Sequence, residues 1–398
     1  MVNVLPCFKC TGINYNIRAG PDWATADVKC KPASQIATEL ATLKGVTDTI
    51  RLYSLTDCDQ ATAVVPAAIE AGLKIELGMW VDSAASSFEA EKAAFQTLLE
   101  TGVVTADNTV GIHVGSEAVY RGDVTAAEAI SNLNEIRTLC QANSGAAAIP
   151  LTIADIGDTY SAHPEMIEAV DYVSANYFSF WEKVAIDGAA EHFYERFSAL
   201  VEIASGKQVI VGETGWASDG VDADASPATA ENAAKYFHDF YTLAAEKDLM
   251  YFYFSAFDEP CKLATLEANE TVEAYFGLFT QEGALKDLIS AEFANATASF
   301  DGSDSATITA VGADSSASAS AAAGAVTTVN AASPTSADVA ASSEDDSTTQ
   351  GDATQDGETT SAVDASSDEE TASGNGEDDS TTQTSTATTP SSRKDCAM

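Results

Sequence analysis

Two hydrophobic periodicities alternate along the first three quarters of the chain. Short apolar runs of strand length fall at 12–15, 49–53, 74–80, 110–114, 150–153, 172–176, 208–211 and 250–254. They are rich in Val, Ile, Leu, Tyr and Phe, and most are bounded by Gly, Asn, Asp or Pro, as strands are. Between them apolar residues recur every three to four positions, the period of a helix with one buried face. Thr125-x-x-Glu128 predicts a capping box, with Ile130, Leu133 and Ile136 following at helical spacing. Ser226-Pro227 predicts an N-cap followed by proline at the first helical position. Ala230, Ala233, Phe237, Phe240 and Ala244 then form the inner stripe of that helix. Eight strands separated by helices predict an α/β fold, a closed (β/α)8 TIM barrel; an open doubly wound sheet normally has fewer strands.

This pattern stops near residue 297. All four Trp and all four His lie before it, and the remainder of the chain is mostly Ser, Thr, Ala, Gly and acid. Such a segment cannot bury enough apolar surface to offset the entropy of ordering it. The expected organisation is a catalytic domain over 1–296 and a disordered, low-complexity tail over 297–398. Glu-Asp-Asp-Ser-Thr-Thr-Gln occurs twice in the tail, at 344–350 and 377–383. Its Ser/Thr density fits an O-glycosylated stalk or, equally, an untethered solvating segment.

Charge narrows the partners. Residues 301–398 hold 18 acidic and two basic side chains, −16 of the total of −42, leaving −26 on the rest. A surface this acidic excludes nucleic-acid binding through basic patches and suits a neutral polysaccharide. No apolar run of 18 residues exists to span a membrane. The seven cysteines are 7, 10, 30, 58, 140, 261 and 396. Cys7-x-x-Cys10 has no second Cys-x-x-Cys or Cys/His cluster to complete a metal site. Structural disulfides in an exported protein are therefore expected, their pairing open and Cys396 the one left over. The polar start is too short for a secretory leader, which predicts a mature or truncated secreted or wall-associated chain. Asn269-Glu-Thr271 and Asn295-Ala-Thr297 are glycosylation sequons. A monomer without cofactor or metal is expected.

The candidate chemistry sits at two strand ends. Glu213 follows the run 208–211 in Gly212-Glu213-Thr214-Gly215-Trp216, and Glu117 follows 110–114 in Gly115-Ser116-Glu117. A carboxylate there is costly unless it is used or paired, and barrel enzymes carry their catalytic groups at this rim. Glu117 follows strand four and Glu213 strand seven, so they can face each other across the mouth. Retaining glycoside hydrolysis needs such a pair, with carboxyl groups about 5–5.5 Å apart. Repulsion between them keeps the acid protonated near neutrality. His113, His163, His192 and His238 lack metal-ligand spacing, and no nucleophile elbow, dinucleotide fingerprint or phosphate loop is present.

Six motifs in order carry a resemblance: Gly12-Ile-Asn-Tyr15, Arg51-Leu-Tyr53, Val114-Gly-Ser-Glu-Ala-Val-Tyr-Arg121, Val211-Gly-Glu-Thr-Gly-Trp216, Phe257-Asp-Glu-Pro-Cys-Lys262 and Tyr275-Phe-Gly-Leu-Phe279. The chain resembles glycoside hydrolase family 17, the β-1,3-glucanases, in the branch associated with microbial walls. The resemblance spans residues 12–279 and leaves the tail out. It implies a (β/α)8 barrel, retention of configuration and no metal in the reaction. It implies Glu213 as nucleophile and Glu117 as acid/base, with Glu259 and Lys262 as a charged pair beside them. Ser116 stands where many relatives carry an Asn that contacts the sugar 2-hydroxyl. Cys261 stands in place of a tryptophan, so either an aromatic platform is lost or Cys261 enters a disulfide.

Tyr15, Tyr53, Trp80, Tyr177, Phe178, Trp181 and Trp216 lie near strand ends, where flat rings stack on sugars or pack a core. Asn14 and Asn176 are placed to bond hydroxyls or to cap turns. The reading is hydrolysis of β-1,3-glucan by double displacement. A β-1,3-glucanosyltransferase using the same two glutamates is the first alternative, and a non-catalytic glucan-binding wall protein is the second.

Overall fold

The computed structural model describes residues 8–265 and 271–299. All eight anticipated strands form: β1 Gly12–Asn14, β2 Thr49–Arg51, β3 Lys74–Met79, β4 Thr109–Ser116, β5 Leu151–Ile156, β6 Val173–Asn176, β7 Val209–Thr214 and β8 Tyr251–Tyr253. Each runs parallel to its neighbours in chain order, and β8 closes on β1 through Gly12↔Phe252 and Ile13↔Tyr253. Parallel neighbours require crossovers. The main ones are the helices Ala33–Lys44, Ala85–Glu100, Ala126–Ala142, Ala189–Ile203 and Ala230–Glu246. The fold is the TIM barrel that the periodicities predict. The expected tail from residue 300 onward, Cys7, Cys396, Asn269 and the side chain of Asn295 lie outside the described residues, while 297–299 end the helix Asp287–Ser299.

Side-chain caps open two of these five helices. At Ala126–Ala142, Thr125 accepts the Glu128 amide while Glu128 accepts the Thr125 amide at 2.8 Å. Leu133 and Ile136 of that helix are fully buried. The start expected at Ser226-Pro227 is corrected: the helix begins at Ala230, with Thr229 accepting the Asn232 amide at 3.1 Å. Ser226 is engaged elsewhere, its amide on the Phe180 carbonyl and its hydroxyl on that of Val184. Ala233, Phe237, Phe240 and Ala244 form the buried stripe, whereas Ala230, in the first turn, is exposed.

Two strands run further than their apolar runs. β4 continues to Ser116 and β7 to Thr214, so Glu213 lies within β7 rather than after it. Both are irregular there, with register shifts at His113/Ser116 against β5 and at Val211/Thr214 against β8. Irregularities of this kind re-aim side chains at barrel rims.

The barrel interior is apolar only at its N-terminal end, where Tyr172, Ile210 and Phe252 pack together. Towards the other end come Glu76, His113 and Ser174, then Asn14, Arg51, Ser116, Asn176 and Glu213, all buried. Glycines make the room. A Cβ on Gly111 would lie 2.2 Å from the Tyr172 hydroxyl, and one on Gly78 2.6 Å from His113 Nε2.

A disulfide joins Cys30 to Cys58, tying the segment after β1 to the segment after β2. Cys10, Cys140 and Cys261 are buried thiols, so of the two alternatives for Cys261 the disulfide is not formed. Among the described residues no helix is long and apolar enough to cross a membrane.

Candidate active site

Arg51, the last residue of β2, organises the mouth of the barrel. It is wholly buried, and its guanidinium forks: Nη1 donates to Glu213 Oε1 at 2.6 Å and Nη2 to Ser116 Oγ at 3.2 Å. Nη1 also reaches Asn14 Oδ1 at 3.3 Å, and Asn14 Nδ2 donates to the Gly212 carbonyl at 3.4 Å. A planar fork can hold two acceptors at fixed positions, which an ammonium cannot. Burial opposes the charge on Arg51, but Glu213, Tyr53 and Glu76 outweigh it and hold the guanidinium firmly protonated. The Tyr53 ring lies 4.8 Å from the guanidinium carbon. Burial first, and then the Glu213 charge, push the Tyr53 phenol well above its ordinary value, so it stays a proton donor beside that carboxylate.

Glu117 is delivered by an unusual backbone. It follows β4 with φ of 56° after Gly115 at 89°. A non-glycine residue in this region is uncommon and persists only where its surroundings enforce it. The surroundings are visible. The Glu117 amide donates to the Ala154 carbonyl at 2.9 Å, and Asp155 accepts the Val119 and Tyr120 amides at 3.2 and 3.3 Å. Arg121 donates to the Ser116 carbonyl at 2.6 Å and stacks 4.6 Å over Trp80. Asn176 Nδ2 donates to Glu117 Oε1 at 2.8 Å. Asn176 is also the register partner of Glu213 across β6 and β7. Both glutamates therefore occupy one rim, linked by Arg51 with Ser116 and by Asn176.

The loop after β8 adds the buried ion pair Lys262–Glu259 at 2.9 Å, with Glu273 3.7 Å from the same ammonium. Burial disfavours the Lys262 charge, but Glu259 and then Glu273 outweigh it and raise its pKa above the ordinary value. On the Glu117 side opens a pocket of about 280 Å³, lined among others by Asn176, Tyr177, Phe178, Trp181 and Arg196.

The BtgE/BtgC glycoside hydrolase domain matches residues 12–277, two thirds of the chain. The chain belongs to the BtgE/BtgC glycoside hydrolase family. It is similar to a glucan 1,3-beta-glucosidase of Saccharomyces cerevisiae, 31% identical over 280 residues, 67% of this chain and 88% of that protein. It is 32% identical over 281 residues to the corresponding enzyme of Candida albicans, covering 67% and 90%. Among solved structures it resembles a glycoside hydrolase family 17 β-1,3-glucanosyltransferase from Rhizomucor miehei, with TM-score 0.61 and 30% identity over 70% of this chain and 96% of that one.

Within this BtgE/BtgC-type barrel, Asn14, Tyr53, Ser116, Glu117, Asn176 and Glu213 come together at the mouth. Tyr177 lines the pocket, although its ring packs edge-on against Phe193 and Phe197. Glu259 and Lys262 stand beside the mouth, close enough for the Glu259 charge to act on Tyr53. Two expected contacts lie elsewhere. Tyr15 is turned to the outer layer, donating to Glu39 at 2.7 Å, and Glu39 is also held by Lys31 at 2.9 Å. Trp216 is 1% exposed, packs on Phe180 and Tyr236, and donates Nε1 to the Pro227 carbonyl. Sequence reasoning gave no role to Arg51 or Asp155. A charge closing an apolar run signals the first, and a strand-end carboxylate, as at Glu117, signals the second.

Proposed function

We propose that this member of the BtgE/BtgC family cleaves β-1,3-glucosidic bonds in glucans by double displacement. Glu213 attacks the anomeric carbon while Glu117 protonates the departing glycosidic oxygen. Glu117 then takes a proton from water, which displaces Glu213 and restores the resting enzyme. The observation that supports this best is the Arg51 fork, joining Glu213 to the residue before Glu117 while Asn176 holds Glu117 itself. Arg51 aims the nucleophile through the 2.6 Å bond from Nη1 to Glu213 Oε1. The names of the relatives, all acting on 1,3-β-glucan, support the substrate class. The Cys30–Cys58 disulfide supports an extracellular or wall location, since such bonds persist in oxidising compartments.

Transfer to a second glucan is the alternative, favoured by the likeness to the Rhizomucor enzyme and by the pocket on the Glu117 side. Products of laminarin digestion separate the two: oligosaccharides longer than the substrate mean transfer, shorter ones alone mean hydrolysis. Glu213→Gln is expected to lower kcat on laminarin by at least about 10³-fold with glucan binding retained. A folded parent protein that binds laminarin without cleaving it would overturn the enzymatic reading in favour of a glucan-binding wall protein.

A further inference from the structure

Beneath Arg51 the barrel holds a polar cluster that the chemistry above does not use. Glu76 of β3 is the register partner of Arg51, so both side chains enter the barrel side by side. Glu76 is 2% exposed, and His113 Nδ1 lies 3.6 Å from its Oε1. Arg51 Nε, Glu76 Oε1, both His113 ring nitrogens and the Tyr172 hydroxyl are buried without a hydrogen-bond partner among the described residues. Buried polar atoms are rarely left so in groups. Gly78 and Gly111 keep open the space that His113 and Tyr172 occupy. The groups facing Glu76 are thus Arg51 from β2, His113 from β4 and Tyr172 ahead of β6. Burial raises its pKa to about 7, with Arg51 and Tyr172 opposing, while burial and then Arg51 keep His113 neutral.

The double displacement changes the charge on one side of Arg51 only. When Glu213 attacks, its oxygen bonds to the anomeric carbon, the bond to the leaving oxygen breaks, and Glu117 gives that oxygen its proton. Glu213 is then a neutral ester, while Arg51 keeps its full charge in a buried site. An isolated buried charge is strongly unfavourable. We propose that Glu76 is a positioning residue that acts through Arg51, serving as its second counter-ion while Glu213 is esterified and so lengthening the life of the glycosyl-enzyme. This rests on the retaining reading above. Loss of the Glu213 charge removes a like charge across the guanidinium and lets Glu76 ionise more readily. Its proton passes to solvent, and returns when Glu213 is released. A longer-lived intermediate gives a glucan acceptor more time to compete with water.

The test uses a 2-deoxy-2-fluoro-laminaribiosyl fluoride to trap the intermediate, followed by reactivation in buffer and in laminaribiose from acid pH up to about pH 10, well above the Glu76 pKa of about 7. Peptide mass spectrometry first locates the sugar; its absence from Glu213 sinks the retaining reading itself. With the adduct on Glu213, Glu76→Gln is expected to reactivate faster than the parent. The ratio of the two rates should grow with pH and level off near neutrality at about tenfold, the equivalent of one pKa unit of linkage. Glu76→Asp should restore the parent's pH dependence. Tyr172→Phe removes only a hydroxyl that favours ionised Glu76, so it guards against a folding failure in the other variants. Its ratio to the parent should exceed one only near neutrality and return to one in alkali. Ratios of one at every pH, or ratios above one that do not vary with pH, overturn the proposal.

Discussion

Asn176 shows how much one amide contributes at this site. It pairs in register with Glu213 and hydrogen-bonds Glu117, so it couples the positions of both carboxylates. Gly212 permits this, because a Cβ there would lie 2.5 Å from Asn176 Oδ1. Asn176→Ala removes a hydrogen bond to a carboxyl group, a loss of roughly 1.5–3 kcal/mol when the partner is charged. The expected outcome is a fall in kcat on laminarin of about 10- to 100-fold, with a melting temperature close to the parent's. The strand-end position and residue type of Asn176 were legible in the sequence, whereas its partner was not. Trp216 is the converse case: a motif position suggested a sugar contact, and its indole is spent on the core and on the Pro227 carbonyl. An aromatic at a strand end fits either setting, and only its neighbours decide.

At the scale of elements, the capping box before Ala126–Ala142 is a local device read directly from Thr125-x-x-Glu128. Thr125→Ala should lower stability by about 1 kcal/mol in a denaturant titration and leave laminarin turnover unchanged. The start of Ala230–Glu246 was misplaced because Ser226-Pro227 has the composition of a cap while its polar groups serve the segment around Phe180 and Val184. Tertiary hydrogen bonds overrode a local preference there. The ends of β4 and β7 were also underestimated, since glycine and glutamate at those positions lack strand propensity. Those extra residues aim Glu117 and Glu213.

For the whole molecule, two features make testable contributions to stability. The Cys30–Cys58 disulfide spans a sequence separation of 28 residues. Replacing both cysteines by serine should cost about 3–4 kcal/mol through the entropy of the unfolded chain. A melting-temperature comparison with and without reductant checks it, since the reductant should then affect only the parent. The second feature is the polar barrel interior. Unfolded, Glu76 ionises in the usual carboxylate range; folded, it keeps its proton up to about 7. The folded state therefore binds the extra proton in that window, and stability falls as pH rises through it. His113 acts at the other edge, since burial and Arg51 hold it neutral well below 6.5, so acidification below that value favours the unfolded chain. Glu76→Gln should flatten the alkaline-side loss, worth on the order of 3 kcal/mol between pH 5 and 8, in melts recorded across that range.

By itself the sequence determined the barrel, the order of its strands and the two glutamates at one rim. Period-two and period-3.6 patterns and strand-end carboxylates are properties of contiguous residues, and parallel neighbours joined by helices leave few topologies to choose from. Only the tertiary structure decided what holds those glutamates. Arg51, Ser116, Asn176 and Asp155 come from four different strands, and Glu76, His113 and Tyr172 beneath them from segments far apart in the chain. Hydrogen bonds and charge coupling depend on separations of a few ångströms. Such separations exist only after the sheet has closed on itself.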